Sequence, residues 1–360
     1  MKKAPLSILN HAEDLPTLDH LYQKVSTHIE NARKNVQRSI DTEMVKAYWF
    51  IGRDIVEEEQ KGAKRAKYGS ALLEALAARL SQAYTKGFSI STLRDIRQFY
   101  LSYQDYDPNH HAVRGELCKT LSPHLGWIHY RALMRIDRPE ARSFYEIEAA
   151  KNNWSGRELE RQIHSLLFER LLKTKDKNGL LRLATKGHEI NSPKDAIKDP
   201  LILEFLDLPE AHQLVESKIE QALINNLQQF LLELGAGFAF VARQKRLTLE
   251  GDHFYADLVF YHMKLKCYVI IEIKTKKLCH EDIGQMQLYV NYFDREVRDE
   301  NDNPTIGLLL CTEKNDAMVR YTLSEKNQQI FASKYKLYLP SEEELIKELK
   351  KEMAAIKVQS

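Results

Sequence analysis

One stretch constrains the fold more than any other. Residues 254–292 read FYADLVFYHMKLKCYVIIEIKTKKLCHEDIGQMQLYVNY, the pattern of two strands followed by a helix. Phe254, Ala256, Leu258 and Phe260 alternate with Tyr255, Asp257, Val259 and Tyr261, which is strand spacing. A turn over residues 262–266 leads into a second run, residues 267–274, rich in Val and Ile. Side chains alternate faces along a strand, so Glu272 and Lys274 point the same way. Asp257 precedes Glu272 by 15 positions, the distance of a hairpin partner. A carboxylate on one strand, and a carboxylate with a lysine on the next, are therefore expected near one end of a sheet.

Those residue types in that pattern point to metal-assisted hydrolysis. Two facing carboxylates repel, and each prefers to protonate unless a cation lies between them. Mg²⁺ takes carboxylate and water oxygens at roughly 2.0–2.1 Å and keeps several waters. Such an ion acidifies water and neutralises charge on a phosphate under attack. A lysine beside it orients the water, or helps deprotonate it, and steadies the transition state.

Asp257 together with Ile271-Glu272-Ile273-Lys274, followed by Gly284-Gln285-Met286-Gln287 on a helix, resembles the PD-(D/E)XK nuclease superfamily. More narrowly the chain resembles the YhcG-like family, in which a helical amino-terminal domain precedes such a nuclease domain. The likeness rests on DLVFYH (257–262), IEIK (271–274), GQMQLY (284–289) and FLLELGAGFAFVARQKRL (230–247). Upstream it rests on AYWFIGRDI, KGFSISTLRDIRQFY and NNWSGRELERQI. It covers residues 22–344, with Ala256 in place of the proline that gives the superfamily its name. The resemblance implies that Asp257 and Glu272 bind Mg²⁺, or Mn²⁺ in its place, with Glu220 as a further ligand. Lys274 would then position the attacking water, and Gln285 would support it or touch the scissile phosphate. The implied reaction is phosphodiester hydrolysis in DNA. RNA cleavage, and a nucleic-acid-binding or assembly module without cleavage, are the alternatives.

Composition sets the outer bounds. A chain of 360 residues has room for two domains. With a net charge of +2, nucleic-acid affinity must come from local basic clusters. No apolar run approaches the ~18 residues of a membrane span, and the first residues lack a signal peptide's apolar core. Cys118, Cys267, Cys279 and Cys311 form no CxxC pair and read as cytosolic thiols. The expected compartment is the cytoplasm.

The expected architecture is two domains. Residues 15–172 form an all-α domain, residues 173–200 a linker, and residues 201–345 an α/β restriction-endonuclease-like domain with a mixed central sheet. Residues 346–360 are a terminal helix or tail. Leu21, Val25, Ile29, Val36, Ile40, Val45, Trp49 and Ile51 recur at helical steps. Residues 70–84 continue the pattern. A turn at Gly87 and an N-cap at Ser91 then lead into a helix through Tyr103, the outline of a helix-turn-helix. Arg94 and Arg97 on that helix suit phosphate contact. The aromatic face of Phe88, Phe99, Tyr100 and Tyr103 suits a homodimer instead. Residues 105–114, with His110 and His111, read as a loop. Ser155 and Glu158 have capping-box spacing, for a helix expected to run to Leu172.

In the second domain, residues 201–208 are expected as a short helix and 215–235 as one continuous helix. At about 100° per residue, Glu220 and Glu216 both project into the apolar stripe of that helix. Angle does not choose between them; the family resemblance favours Glu220. Strands are expected over residues 238–249, 305–311 and 329–339, with a helix over 281–295. The nucleic-acid contacts expected are Arg94, Arg97, Arg243, Lys245, Arg246 and Tyr289.

Overall fold

The computed structural model describes residues 16–61, 68–84, 87–106, 120–172, 177–208, 215–313, 322, 329–341 and 343–344. His110, His111, Cys118 and all of the expected terminal helix or tail, residues 346–360, lie outside them. The chain divides into two compact units, residues 1–137 and 138–360.

The amino-terminal unit is helical: α1 (Pro16–Lys61), α2 (Tyr68–Tyr84), α3 (Ile90–Ser102) and α4 (Trp127–Leu133). Its core gathers Ile55, Leu73, Ala77, Leu93 and Ile96. The long helix α1 approaches α3 so closely at Gly52 that a Cβ there would sit 2.5 Å from the Ile96 carbonyl oxygen. Helix α3 is capped by Ser89, whose Oγ accepts the Thr92 N–H at 3.2 Å, and not by Ser91; the turn before it carries Gly87 at φ 106°. Of the aromatic face expected to dimerise, Phe88 and Tyr100 are half-buried. Phe99 and Tyr103 are buried, stacked against Trp127 and Tyr130.

The carboxy-terminal unit opens with helices α5 (Pro139–Asn152), α6 (Gly156–His164), α7 (Leu167–Leu172), α8 (Lys177–Lys186) and α9 (Pro193–Ala196). The capping box at Ser155 and Glu158 forms as expected. The helix it starts ends at His164, because Leu166 adopts φ 54° and opens a new turn. Within the 173–200 stretch read as linker, α8 packs on α5 and Lys198 is buried. Buried charge explains why this segment is structured. Glu233, fully buried, accepts from Arg170 Nη1 at 2.5 Å, Arg161 Nη1 at 3.1 Å and the Ile202 N–H at 3.0 Å. Its backbone carbonyl accepts from Lys198 Nζ, and Arg161 also grips Glu204.

The rest of this unit is β1 (Leu201–Ile202), α10 (Glu216–Asn225), α11 (Leu227–Leu234), β2 (Phe238–Leu249), β3 (Asp252–His262), β4 (Cys267–Lys277), α12 (His280–Tyr292), β5 (Ile306–Glu313) and β6 (Ile330–Lys336). They form one six-stranded sheet in the order β1-β6-β5-β4-β3-β2. The β2-β3-β4 part is antiparallel and the β4-β5-β6-β1 part parallel. The sheet is thus mixed, and the unit has a restriction-endonuclease-like fold. Residues 201–202 are a strand, not the expected helix, because their backbone completes the open edge of β6. The expected 215–235 helix breaks at Asn226, whose side-chain amide binds the Ala222 carbonyl at 3.0 Å. Helices α10 and α11 cover one sheet face with Ile219, Leu223 and Phe230. Helix α12 covers the other with Ile283, Met286 and Val290. Among the described residues no helix is long and apolar enough to cross a membrane.

Candidate active site

The site lies where β3 and β4 part company. These strands pair from His262↔Cys267 to Leu258↔Ile271. Beyond that point β3 continues with β2 (Ala256↔Lys245) and β4 with β5 (Glu272↔Leu309, Lys274↔Cys311). At the fork, side chains replace the missing ladder. The Asp257 N–H donates to Glu272 Oε1 at 2.9 Å, and the Ile273 N–H donates to Asp257 Oδ2 at 2.9 Å. Each carboxylate thereby spends one oxygen on backbone and is fixed in orientation. Asp257 Oδ1 and Glu272 Oε2 are the oxygens left for other work.

Lys274 stands over this pair. Its Nζ lies 3.6 Å from Glu272 Oε2, 3.9 Å from Asp282 Oδ1 and 3.5 Å from Gln285 Oε1. Gln285 is held in turn: its Nε2 donates to the Tyr289 hydroxyl at 2.6 Å, which donates to the Tyr255 carbonyl at 3.2 Å. Tyr289 is buried and was expected to contact nucleic acid. On the buried face of α12 its hydroxyl holds Gln285.

The electrostatics follow from burial. Removal from water pushes the Glu272 carboxyl well up, and the negative charge of Asp257 pushes it further. Asp257 rises for the same first reason, with Glu220 adding to it, although the Ile273 N–H opposes the shift. For Lys274, burial works against the charge, but Glu272, Glu216, Asp282 and Asp257 outweigh it and the ammonium is held above its usual value. The lysine is therefore a fixed cation at neutral pH, fit to orient water and stabilise negative charge rather than to accept a proton.

Glu220 is buried on α10, as its place in the apolar stripe predicts. It does not face the fork alone: Arg243 forms an ion pair with its Oε1, and Gln244 Nε2 donates to its Oε2 at 2.8 Å. The same Gln244 nitrogen donates to Asp257 Oδ1 at 3.0 Å, so one amide ties the two carboxylates together. Gln244 sits in the left-handed region at φ 46°, where a non-glycine residue is strained and tertiary contacts must hold it. Sequence reasoning missed it, since a glutamine among basic residues in a strand carries no periodic signal. Asp282 was missed too; its capping of Cys279 shows only as a helix-start pattern. Glu216, the rival of Glu220, accepts the Thr275 N–H at 3.2 Å. Of the basic residues on β2, Arg243 is engaged by Glu220, Arg246 lies beside Thr248 and His253, and Lys245 is exposed.

In the other unit Arg94 is exposed. Arg97, expected on the open surface, is half-buried and donates to Glu59 at 2.6 Å, tying α3 to α1.

The fork has the donors for a hard divalent cation: the buried Glu272 and the half-buried Asp257, which repel one another, with Glu272 Oε2 beside Lys274 and Asp257 Oδ1 accepting from Gln244. Among the described residues no three His, Cys, Asp or Glu side chains converge into a ready-made cage. Mg²⁺ is commonly held by one or two carboxylates, waters and substrate phosphate.

Comparison with known proteins agrees with this geometry. Residues 194–353 match the YhcG PDDEXK nuclease domain, and residues 24–170 match the DUF1016 N-terminal domain. The chain is 38% identical over 349 residues to "Putative nuclease YhcG" of Escherichia coli strain K12, covering 91% of this chain and 92% of that protein. The chain belongs to the YhcG family. A crystal structure of a repair endonuclease from Pyrococcus abyssi aligns with 36% of this chain and 49% of its own, at 18% identity and a TM-score of 0.26. The YhcG-family nuclease domain matched here includes Asp257, Glu272, Lys274 and Gln285. Its partner domain ends at Arg170, the residue that binds Glu233 inside the nuclease domain. The two YhcG-family segments are thus joined by a buried ion pair.

Proposed function

We propose that this chain is a divalent-metal-dependent nuclease that hydrolyses phosphodiester bonds in DNA. The observation that carries the reading is the pairing of Asp257 and Glu272 at the β3–β4 fork with Lys274 beside them. Asp257 Oδ1 and Glu272 Oε2 would hold Mg²⁺, for which Mn²⁺ can substitute. The ion supplies positive charge to the phosphate and acidifies water. Lys274, kept charged by its acidic neighbours, orients the attacking water and stabilises charge gathering on the phosphate oxygens. Gln285, fixed by Tyr289, holds the lysine's position. Glu220 acts from behind, through Gln244, by fixing Asp257. Burial of the pair keeps the oxygens poised, and backbone N–H donors prevent either from turning away.

The test is cleavage of plasmid, linear and branched DNA, and of RNA, with Mg²⁺, Mn²⁺ or EDTA, alongside binding measured in Ca²⁺. Lys274→Ala should keep metal and DNA binding while losing about 10²–10³ in rate. Asp257→Ala should lose cleavage at every metal concentration. Cleavage of RNA alone would replace the substrate assigned. Binding without cleavage of any substrate would favour an assembly or binding module. Equal cutting by Lys274→Ala would overturn the role given to the lysine.

A further inference from the structure

The helical pattern of α1 in the sequence splits into two faces in the structure. Val45, Trp49, Gly52 and Val56 face the core of the amino-terminal unit. Leu21, Tyr22, Val25, Ile29, Val36, Ile40 and Met44 remain 39–70% exposed. At 100° per residue the centre of this group lies well round the helix from Val45, Trp49, Gly52 and Val56, while its edge at Met44 adjoins the core residues Ile51 and Ile55. They are a second apolar stripe that meets the first along that edge.

That face has the proportions of an interface. It runs for about 36 Å at 1.5 Å per residue. Its seven side chains expose on the order of 700 Å² per helix, larger than the apolar patch of an ordinary monomer. Two such faces together present roughly 1,400 Å², within the range of stable specific interfaces.

Its arrangement selects the occupant. Six of the seven are disposed evenly about the point between Ala32 and Arg33: Leu21 mirrors Met44, Val25 mirrors Ile40, and Ile29 mirrors Val36, while Tyr22 faces the position of Glu43. A face with that symmetry is complementary to itself when one copy is reversed, as a two-fold interface requires. The small side chain of Ala32 falls at the centre, where two helices approach most closely. Charge agrees with this register. Glu30 and Arg33 form an ion pair at 3.1 Å beside the apolar face. In the reversed pairing each Arg33 comes within about 3 Å along the axis of the second copy's Glu30, so the pair can be exchanged across the dyad. The spacing also fits, since Val25 and Val36, and Ile29 and Ile40, are 11 residues apart, a repeat that keeps a seam on one side of long helices.

We propose that two copies of this chain pair through this face of α1, antiparallel, about a dyad between Ala32 and Arg33. The pairing makes the protein a homodimer through a surface remote in sequence from the β3–β4 fork, and it does not depend on the nuclease reading.

The experiment uses the full chain. Sedimentation across a hundredfold concentration range should give a dimer for wild type. Ile29→Lys with Val36→Lys should weaken association by at least about 100-fold, because four ammonium groups would be buried at one seam. Both positions are exposed, so the circular dichroism spectrum and melting of the variant should match the monomeric fold. Spin labels in otherwise wild-type protein then fix the direction. Labels at Lys34 lie on the outer sides of the pair within about 5 Å of each other along the axis, so their separation is set by the width of two helices. Labels at Lys24 should be separated by at least about 25 Å along the axis. A wild-type monomer, as expected if another segment of the chain or a different protein covers the face, overturns the proposal. So does a dimer that survives both lysines. Equal distances at both labels would mean parallel helices and would overturn the dyad.

Discussion

Glu233→Gln tests what holds the carboxy-terminal unit together. The replacement keeps shape and volume but removes one negative charge from a site with no solvent exposure. Three donors converge on that carboxylate, from Arg170, Arg161 and the Ile202 backbone. A carboxamide can accept from one side only, and its NH₂ group must then face another donor. Arg161 keeps Glu204, so its loss is partial. Arg170, fully buried, keeps only neutral acceptors: the Ser165 and Pro200 carbonyls and the Ser165 hydroxyl. Leaving one buried charge without its partner costs about 3–5 kcal/mol. The native carboxylate itself resists protonation. Burial alone would raise its pKa, but Arg170, Lys198 and Arg161 together hold it down at about 2. Its contribution is therefore complete above the ordinary carboxylate value and is lost only as pH falls from there toward 2. The assay is urea unfolding at pH 7, read by hydrogen exchange of β4 and β5 peptides, which reports this unit apart from α1–α4. A loss below about 1 kcal/mol would refute the reasoning. So would an equal loss from Glu204→Gln, since Glu204 is partly exposed and shares Arg161 alone.

Three further outcomes follow from the same structure. Lys198, whose pKa is lowered to about 8 mainly by burial, binds its proton less tightly folded than unfolded. Native stability should thus rise between pH 8 and 10.5, by up to about 3 kcal/mol, and that rise should vanish in Lys198→Met when the two unfolding profiles are compared. Gln244→Ala removes the amide shared by Glu220 and Asp257 and should loosen metal binding roughly tenfold or more, as loss of an orienting partner typically does; calorimetric titration with Mn²⁺ reads it, and unchanged affinity would remove Gln244 from the site. Gly52→Ala places a methyl against the Ile96 carbonyl and should destabilise the amino-terminal unit by about 1–3 kcal/mol, seen as faster exchange in α3 with β4 unaffected.

The fold of residues 238–336 was legible because strands there announce themselves by alternation. The mixed sheet is what the family resemblance implies, but the β2, β3 and β4 strands and the turn at residues 262–266 follow from period and turn residues. So does the meeting of Asp257, Glu272 and Lys274, since pairing and parity alone put them at one level on one face. Resemblance to a family added Glu220 and Gln285, which no pattern in a single chain could choose; Glu216 projects as well as Glu220.

What tertiary structure decided concerns partners far apart in sequence. Period sets Leu21–Ile40 apart from Val45–Trp49 but does not say which group packs inside the unit and which stays exposed. Nor does a polar stretch such as residues 187–200 reveal that Lys198 will be buried beneath Glu233, 35 residues on. Hydrophilic composition reads as linker because solvation is its default. Only the convergence of Arg161, Arg170 and Glu233 offsets the desolvation of those charges and draws the segment into the fold. Likewise Gln244 is ordinary in sequence and gains its role where α10 brings Glu220 up to Asp257 at the fork, near enough for one amide to bind both. Alternation fixes which face a residue takes; which charges meet there depends on the pairing of distant elements.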